Sequence, residues 1–144
     1  MDRLPSNESS NPESLDLSGL RILVVEDSWQ LGMAMTSLLR ALGAEVSGPV
    51  ATSADARRLA REQPPDAALV DFNLRGGEQA DRLIDWLHEQ GIYAVVVTGY
   101  TELPSVPRHA VAVLHKPISE VELVGSLRPM LTRKARGSVI APRA

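Results

Sequence analysis

Short apolar runs that alternate with helix-forming stretches are the feature that most limits the folds open to this chain of 144 residues. The runs predict five strands, of which the second is the weakest: Arg21–Val25, Glu45–Val50, Ala67–Val70, Tyr93–Val97 and Val111–Leu114. The other four are almost continuously apolar, which is typical of strands covered on both faces of a parallel sheet. Parallel strands need crossover connections, and right-handed helical crossovers give a doubly wound α/β fold.

Helical patterns fill most of the intervals between these strands. Two apolar stripes at helical spacing each end at a glycine (Gly43, Gly91): Leu31, Met35, Leu38, Leu42; and Ala80, Leu83, Ile84, Leu87. A shorter helix is predicted over residues 54–62. A capping box of Ser119 and Glu122 opens a last helix, which Pro129 is expected to bend or shorten, and whose apolar positions are Val121, Leu123, Val124, Leu127. Residues 100–110 contain two prolines and no apolar stripe, which predicts that the fourth helix is missing or reduced to a turn.

Composition and charge bound the domain and exclude several classes of function. The absence of cysteine excludes disulfides, cysteine-ligated zinc and iron–sulfur clusters. Neither a transmembrane run nor a signal peptide is recognisable, so we expect a cytoplasmic protein. Residues 1–18 are predicted to be a flexible N-terminal arm, residues 19–131 one domain, and residues 132–144 a basic flexible tail. The domain itself is acidic, which argues against a nucleic-acid-binding face.

Charged and hydroxyl side chains follow the predicted strands at the point where each strand ends. Glu26 and Asp27 come directly after the first strand, and Asp71 follows the third. The fourth strand is followed by Thr98, and Lys116 lies just beyond the fifth. Because ligands of doubly wound folds bind outside the carboxyl ends of the strands, we expect these side chains to meet at one edge of the sheet.

Three carboxylates brought this close together repel each other by roughly a few kcal/mol for each pair. The sequence therefore predicts a bound divalent cation, and a site with few carboxylates and open positions suits Mg²⁺. Mg²⁺ beside a lysine and a hydroxyl is the environment that the oxygens of a phosphoryl group need. We expect the reactive group to be a carboxylate, since cysteine is absent and a serine or threonine would need a base. Asp71, alone at the end of a central strand, is the candidate.

Four short motifs at these strand ends resemble those of one known family. Glu-Asp-Ser after the first strand, Asp-Phe-Asn after the third, Thr-Gly after the fourth and Lys-Pro after the fifth resemble the receiver domain of bacterial two-component response regulators. The resemblance covers roughly residues 19–131 and implies a flavodoxin-like sheet of strand order 2-1-3-4-5 with helices on both faces. The chain is similar in particular to small stand-alone receivers with a shortened fourth-helix region.

The resemblance implies a phosphoacceptor and a metal site. Asp71 would accept a phosphoryl group from a sensor histidine kinase or a histidine phosphotransfer protein. Glu26, Asp27, Asp71 and the backbone carbonyl of Asn73 would hold Mg²⁺. The function implied is a cytoplasmic switch in a phosphorelay and not an enzyme. Its downstream partner would be another protein, and the chain could also form a homodimer. Neither nucleic acid nor membrane is expected as a partner.

The remaining motif residues would respond to the phosphoryl group. The resemblance implies that Thr98 and Lys116 bind its oxygens, and that Gly99 leaves room for the donor histidine. It also implies a cis peptide bond before Pro117 that aims the lysine. Val113 stands where the family usually has a switch aromatic residue, so an aromatic ring cannot turn there between two states.

Two other interpretations remain open at this stage. The first is a phosphatase of the haloacid-dehalogenase type, which also uses an aspartate nucleophile on a doubly wound sheet. It needs a second aspartate two residues after the nucleophile, where this chain has Asn73. The second is a receiver-like binding module that is not phosphorylated, against which the complete set of Asp71, Lys116 and the acidic pair argues.

Overall fold

A computed structural model of the chain describes residues 16–74, 80–99 and 107–139. The strands are β1 (Arg21–Val25), β2 (Glu45–Val50), β3 (Ala67–Asp71), β4 (Tyr93–Thr98) and β5 (Ala112–His115). The helices are α1 (Trp29–Ala41), α2 (Ser53–Glu62), α3 (Asp81–Glu89) and α4 (Glu120–Val139). The strands form one parallel sheet in the order β2-β1-β3-β4-β5, so the predicted doubly wound fold with order 2-1-3-4-5 is confirmed.

Alternating strand residues build a hydrophobic core on each face of the sheet. Leu23 and Val25 of β1 point into the core that α2 and α3 cover, whereas Ile22 and Val24 point into the core beneath α1 and α4. The predicted apolar stripe of α3 is fully buried: Ala80, Leu83, Ile84, Leu87. Burial of a side chain of this size stabilises the fold by about 1.5–3 kcal/mol, so the two cores hold the helices on both faces.

The connection between β4 and β5 contains no helix among its described residues. Residues 107–111 form a turn in which the Ala110 N–H donates to the carbonyl of Pro107 at 3.2 Å. The reduction predicted for the fourth helix holds for this part of the segment, whereas residues 100–106 lie outside the described ranges. The last helix among the described residues is therefore numbered α4.

The predicted apolar face of α1 is confirmed except at Leu31. Met35, Leu38 and Leu42 are partly buried against the core. Leu31 is 42% exposed, and the most deeply buried residues of the helix are Gly32, Thr36 and Leu39. The reason is close packing against β2, because a Cβ added at Gly32 would lie 2.7 Å from Pro49 Cβ. This contact turns the glycine side of α1 inward and leaves Leu31 at the surface.

The last helix is longer than predicted, because Pro129 neither ends nor shortens it. On one side of the proline Leu127 is fully buried. On the other, Lys134 Nζ donates to the Gly19 carbonyl (2.6 Å) and to Asp66 Oδ2 (2.9 Å). These contacts outweigh the cost of about 3 kcal/mol that a proline imposes on a helix interior. Val121, predicted on the apolar face, is 66% exposed at the start of the helix.

The described structure extends to both sides of each predicted domain boundary, and the division into arm, domain and tail stays a prediction. The boundary at residue 131 lies within α4, which continues to Val139. At the other end, Leu17 is fully buried and its N–H donates to the Leu42 carbonyl at 2.7 Å. The rest of the predicted arm and tail, residues 1–15 and 140–144, lies outside the described ranges. Among the described residues, no helix has both the length and the apolar composition needed to cross a bilayer.

Candidate functional site

The parallel sheet brings the predicted site residues to one edge. Asp71 is the last residue of β3, Thr98 is the last of β4, and Glu26 directly follows β1. Backbone hydrogen bonds across the strand ends fix these positions. The Glu26 N–H donates to the Val50 carbonyl (2.9 Å) and the Lys116 N–H donates to the Thr98 carbonyl (2.8 Å). Hydrogen bonds between backbone atoms thus fix the positions of the residues that carry the carboxylates, the hydroxyl and the ammonium.

Three carboxylates form the centre of this site. Glu26, Asp27 and Asp71 each offer an oxygen atom, and these atoms all lie within 4.8 Å of one another. Glu26 and Asp71 are buried, whereas Asp27 is half-buried. The structure therefore brings together the three carboxylates that the strand-end pattern predicted.

Lys116 is the cation that partly balances this negative charge. Its Nζ lies 3.3 Å from Glu26 Oε1 and 3.7 Å from Asp71 Oδ1. The other Glu26 oxygen, Oε2, accepts a hydrogen bond of 3.1 Å from the backbone N–H of Ser28. Among the described residues, the ion pairs of Lys116 with Glu26 and Asp71 leave an excess of negative charge when all three carboxylates are ionised, so a bound cation would stabilise the cluster.

The buried position of Asp71 changes its acidity. Burial, and after it the negative charge of Glu26, raise the pKa of Asp71 from 3.8 to about 7. Lys116 and the Asn73 backbone N–H, which donates to Asp71 Oδ1 at 3.4 Å, act in the opposite direction and lower this pKa. Its surroundings thus destabilise the ionised form of Asp71. A cation bound beside it, or a substitution that removes its charge, would lower this electrostatic cost.

The donor set fits Mg²⁺ in its chemistry. All three candidate ligands are hard carboxylate oxygens, and Mg²⁺ in proteins is bound by one or a few carboxylates while it keeps waters in its other positions. Glu26 Oε1 is buried and makes no hydrogen bond among the described residues, although Lys116 lies within ion-pair distance of it. Asn73, whose carbonyl was predicted as a further ligand, lies beside the cluster, as the contact of its N–H with Asp71 Oδ1 indicates.

The other predicted residues surround this centre. Thr98 is buried at the end of β4, and no described atom lies within 4 Å of the place where a Cβ on Gly99 would be. The peptide bond between Lys116 and Pro117 is cis, as the resemblance implied. Val113 lies in β5 and packs partly buried against the core beneath α2 and α3.

An apolar cavity beside the carboxylates was not predicted from the sequence. It has a volume of about 250 Å³ and lies between α1 and the loop that follows β5. Leu31, Met35 and Ile118 line it, and Glu26 and Lys116 form its polar end. The one sequence signal was Leu31, which had been assigned to the core because its spacing matched the helical stripe. The site therefore combines a charged centre with an apolar surface next to it.

Comparison with known proteins places this geometry in a familiar fold. No protein-family model matches the sequence, and no curated protein matches it either. Among solved structures, a CheY-like response regulator receiver domain from Methylobacillus flagellatus has a TM-score of 0.69 at 24% identity, with 77% of this chain and 98% of that chain covered. The chain has the fold of a response regulator receiver domain. A CheY-like receiver domain protein from Methanospirillum hungatei gives a TM-score of 0.71 at 24% identity, with 81% of this chain and 97% of that chain covered.

A longer protein that contains the receiver fold is also similar. The response regulator PhyR from Brucella abortus has a TM-score of 0.73 at 20% identity, with 91% of this chain covered. This chain spans only 56% of that PhyR chain. The fold predicted from the strand-end motifs is thus found in proteins whose sequences differ from this one at about four positions in five.

Proposed function

We propose that this chain acts as the receiver domain of a response regulator, and that Asp71 accepts a phosphoryl group in a Mg²⁺-dependent reaction. The observation that carries the proposal is the buried Asp71 carboxylate at a strand end, with Lys116 Nζ at 3.7 Å and two further carboxylates beside it. The fold alone does not require this arrangement, because crowded carboxylates weaken a fold that binds no cation. A phosphoryl-accepting site does require it.

The proposed reaction transfers a phosphoryl group from a phosphohistidine of a kinase or a phosphotransfer protein. An oxygen of the Asp71 carboxylate forms a bond to phosphorus while the nitrogen–phosphorus bond breaks, and the released imidazole keeps its electron pair and takes up a proton from water. Mg²⁺, held by Glu26, Asp27, Asp71 and the Asn73 carbonyl, supplies positive charge to the phosphoryl oxygens when it is bound. No catalytic base is needed once Asp71 is ionised, which the positive charge of Lys116 and of a bound Mg²⁺ would favour.

Thr98 and Lys116 are the residues that detect the product in this proposal. Phosphorylation replaces the single negative charge of the Asp71 carboxylate with a phosphoryl group that carries about two, for which the Lys116 ammonium and the Thr98 hydroxyl are the nearby donors. Lys116 then exchanges part of its contact with Glu26, now 3.3 Å, for a contact with the new phosphoryl oxygens. The resulting shift at the ends of β4 and β5 changes the surface that a downstream protein binds.

The apolar cavity gives this proposal a docking place for the donor protein. Its polar end is formed by Glu26 and Lys116, and its apolar wall includes Leu31, which is exposed. A partner helix that carries apolar side chains next to a phosphohistidine would bury this wall and bring its phosphorus toward Asp71. We propose a cytoplasmic phosphorelay switch of this kind, not an enzyme with turnover; Asn73, where a phosphatase would need a second aspartate, supports this choice.

The experiment that tests the function measures covalent labelling by a small phosphodonor. Purified protein is incubated with phosphoramidate and Mg²⁺, and the mass of the intact chain is recorded. We expect one added phosphoryl group, its loss when EDTA replaces Mg²⁺, and no labelling of Asp71→Asn. Asp55→Asn is the matched control, because Asp55 is an exposed aspartate on α2 whose carboxylate pairs with Arg58 at 3.0 Å. Labelling of Asp71→Asn at the wild-type rate would refute the assignment.

A further inference from the structure

Two arginines and a tryptophan form a cluster far from the carboxylate site. Arg57 and Arg61 lie one turn apart on α2, and their guanidinium carbons are 5.5 Å and 5.3 Å from the ring centroid of Trp86 on α3. At these distances the indole face attracts each cation. The ring thus holds two guanidinium groups side by side on one surface of the molecule, which we call the arginine–tryptophan surface.

The positive charges of this surface have no carboxylate partner among the described residues. Arg57 Nε donates to the neutral Ser53 Oγ at 3.3 Å, and Arg61 makes no ion pair in the same ranges. The neighbouring Arg58 differs, since it pairs with Asp55 (3.0 Å) and Glu62 (3.9 Å). Two like charges held next to one another repel, and an anion placed between them would remove the repulsion. Crowded negative charges favour a cation at the carboxylate cluster, and in the same way crowded positive charges favour an anion here.

A cavity adjoins Arg61 and Trp86 and gives such an anion a place to bind. It has a volume of about 460 Å³ and lies between the end of α2 and the turn after α3. Arg61 and Trp86 line it together with small, apolar or neutral residues, none of which is acidic: Ala60, Pro64, Pro65, Gln90, Gly91, Ile92. A guanidinium that stacks on an aromatic face keeps its N–H edges available for a carboxylate.

We propose that the arginine–tryptophan surface is a docking site for an acidic segment of a partner protein. Arginine and tryptophan are the residues that most often dominate the energy of protein–protein interfaces, and here Arg61 and Trp86 border a cavity. The charge complementarity selects the partner, because Asp and Glu side chains would complete the ion pairs that Arg57 and Arg61 lack within the described residues. The proposal does not depend on phosphorylation of Asp71.

The position of this surface lets it act at the same time as the carboxylate site. The cavity borders residues that precede β3 and β4, whereas Asp71 and Thr98 end these strands. A strand of five residues is about 16 Å long, so a partner bound at one edge of the sheet leaves the other edge open. The surface could therefore keep a partner attached while the carboxylate site changes its state.

The test uses Trp86 fluorescence in the full chain. The chain contains two tryptophans, so Trp29→Phe leaves Trp86 as the only indole. The probe is a capped hexapeptide of alternating Glu and Asp, and the neutral control is the same peptide with Gln and Asn. Inorganic phosphate and adenosine monophosphate form a separate arm for small anions. We expect saturable quenching by the acidic peptide alone, with an affinity that falls as salt is added.

Substitutions on α2 decide whether the binding belongs to this surface. Arg61→Gln and Arg57→Gln should each lower the affinity for the acidic peptide at least about tenfold. Arg58→Gln, the matched control on the same helix, should lower it less than about twofold. Circular dichroism checks that each variant is folded. Equal losses for Arg58→Gln and Arg61→Gln would show attraction to the general charge of α2 and overturn the proposal. Quenching by phosphate or the nucleotide but not by the peptide would also overturn it, in favour of a small-anion site.

Discussion

Removal of the charge of Asp71 should stabilise the folded protein when Mg²⁺ is absent. The pKa of Asp71 is about 7 in the fold, against 3.8 for the ordinary side chain, because burial and Glu26 disfavour the ionised form. Folding therefore costs more free energy above neutral pH, where Asp71 must ionise in this environment, than below pH 3.8, where it is protonated in both states. Asp71→Asn keeps the size of the side chain and removes this cost.

The structure sets the size of the effect. Each pH unit between 3.8 and 7 corresponds to about 1.4 kcal/mol, so the full difference would be about 4 kcal/mol in a site closed to water. The pKa of about 7 already includes the attraction of Lys116, which lies 3.7 Å from Asp71 Oδ1, and water at this open site screens the remaining difference. We therefore expect Asp71→Asn to raise the free energy of unfolding by about 2 kcal/mol at about pH 8, and the gain to shrink toward zero near pH 4.

Urea denaturation in EDTA, followed by circular dichroism from about pH 5 to about pH 8, measures this difference. Asp55→Asn is the control, since the exposed ion pair of Asp55 contributes at most about 1 kcal/mol and does not change over this range. Added Mg²⁺ should reduce the advantage of Asp71→Asn, because the ion binds only the folded wild-type site strongly. A gain that is absent at pH 8, or that stays the same at every pH, would refute the reasoning.

Three further predictions follow from particular contacts. Asp27→Asn should weaken Mg²⁺ binding by about tenfold or more, because one of three carboxylates is lost; calorimetric titration measures it, and an unchanged affinity would remove Asp27 from the site. Leu31→Asp should slow phosphotransfer from a histidine kinase by about tenfold while labelling by phosphoramidate stays unchanged, and equal effects on both donors would exclude the apolar cavity as the docking place. Lys134→Met should lower the free energy of unfolding by about 1–2 kcal/mol, since the Gly19 carbonyl and Asp66 lose a charged donor; urea denaturation without a change would show that α4 needs no such anchor.

The fold was predictable because strand type and strand ends are local features of the sequence. The continuous apolar runs of β1, β3 and β4 could be read directly, and the order of the strands came from the resemblance of the motifs. The exposure of Leu31 was not predictable from spacing, because the close approach of α1 to β2 involves Pro49, a residue of another element, beside Gly32. The length of α4 was missed for the same reason, since Lys134 finds its partners at Gly19 and Asp66.

The charged centre of the site was predictable, and its surroundings were not. Residues that follow parallel strands meet at one edge of the sheet, so the convergence of Glu26, Asp27 and Asp71 needed no knowledge of side-chain packing. The division of Lys116 between two carboxylates, at 3.3 Å and 3.7 Å, depends on side-chain geometry and emerged only in three dimensions. The apolar cavity escaped prediction because Leu31 has the spacing of a core residue.

The most direct test of the account is to locate the phosphoryl group within the chain. Protein treated with phosphoramidate and Mg²⁺ is reduced with borohydride, which converts an acyl phosphate of aspartate to homoserine, and is then digested and sequenced by tandem mass spectrometry. The account predicts homoserine at position 71 and at no other aspartate, and none when EDTA replaces Mg²⁺. Homoserine at Asp27 or at an exposed aspartate, or an unmodified residue 71 in labelled protein, would contradict it.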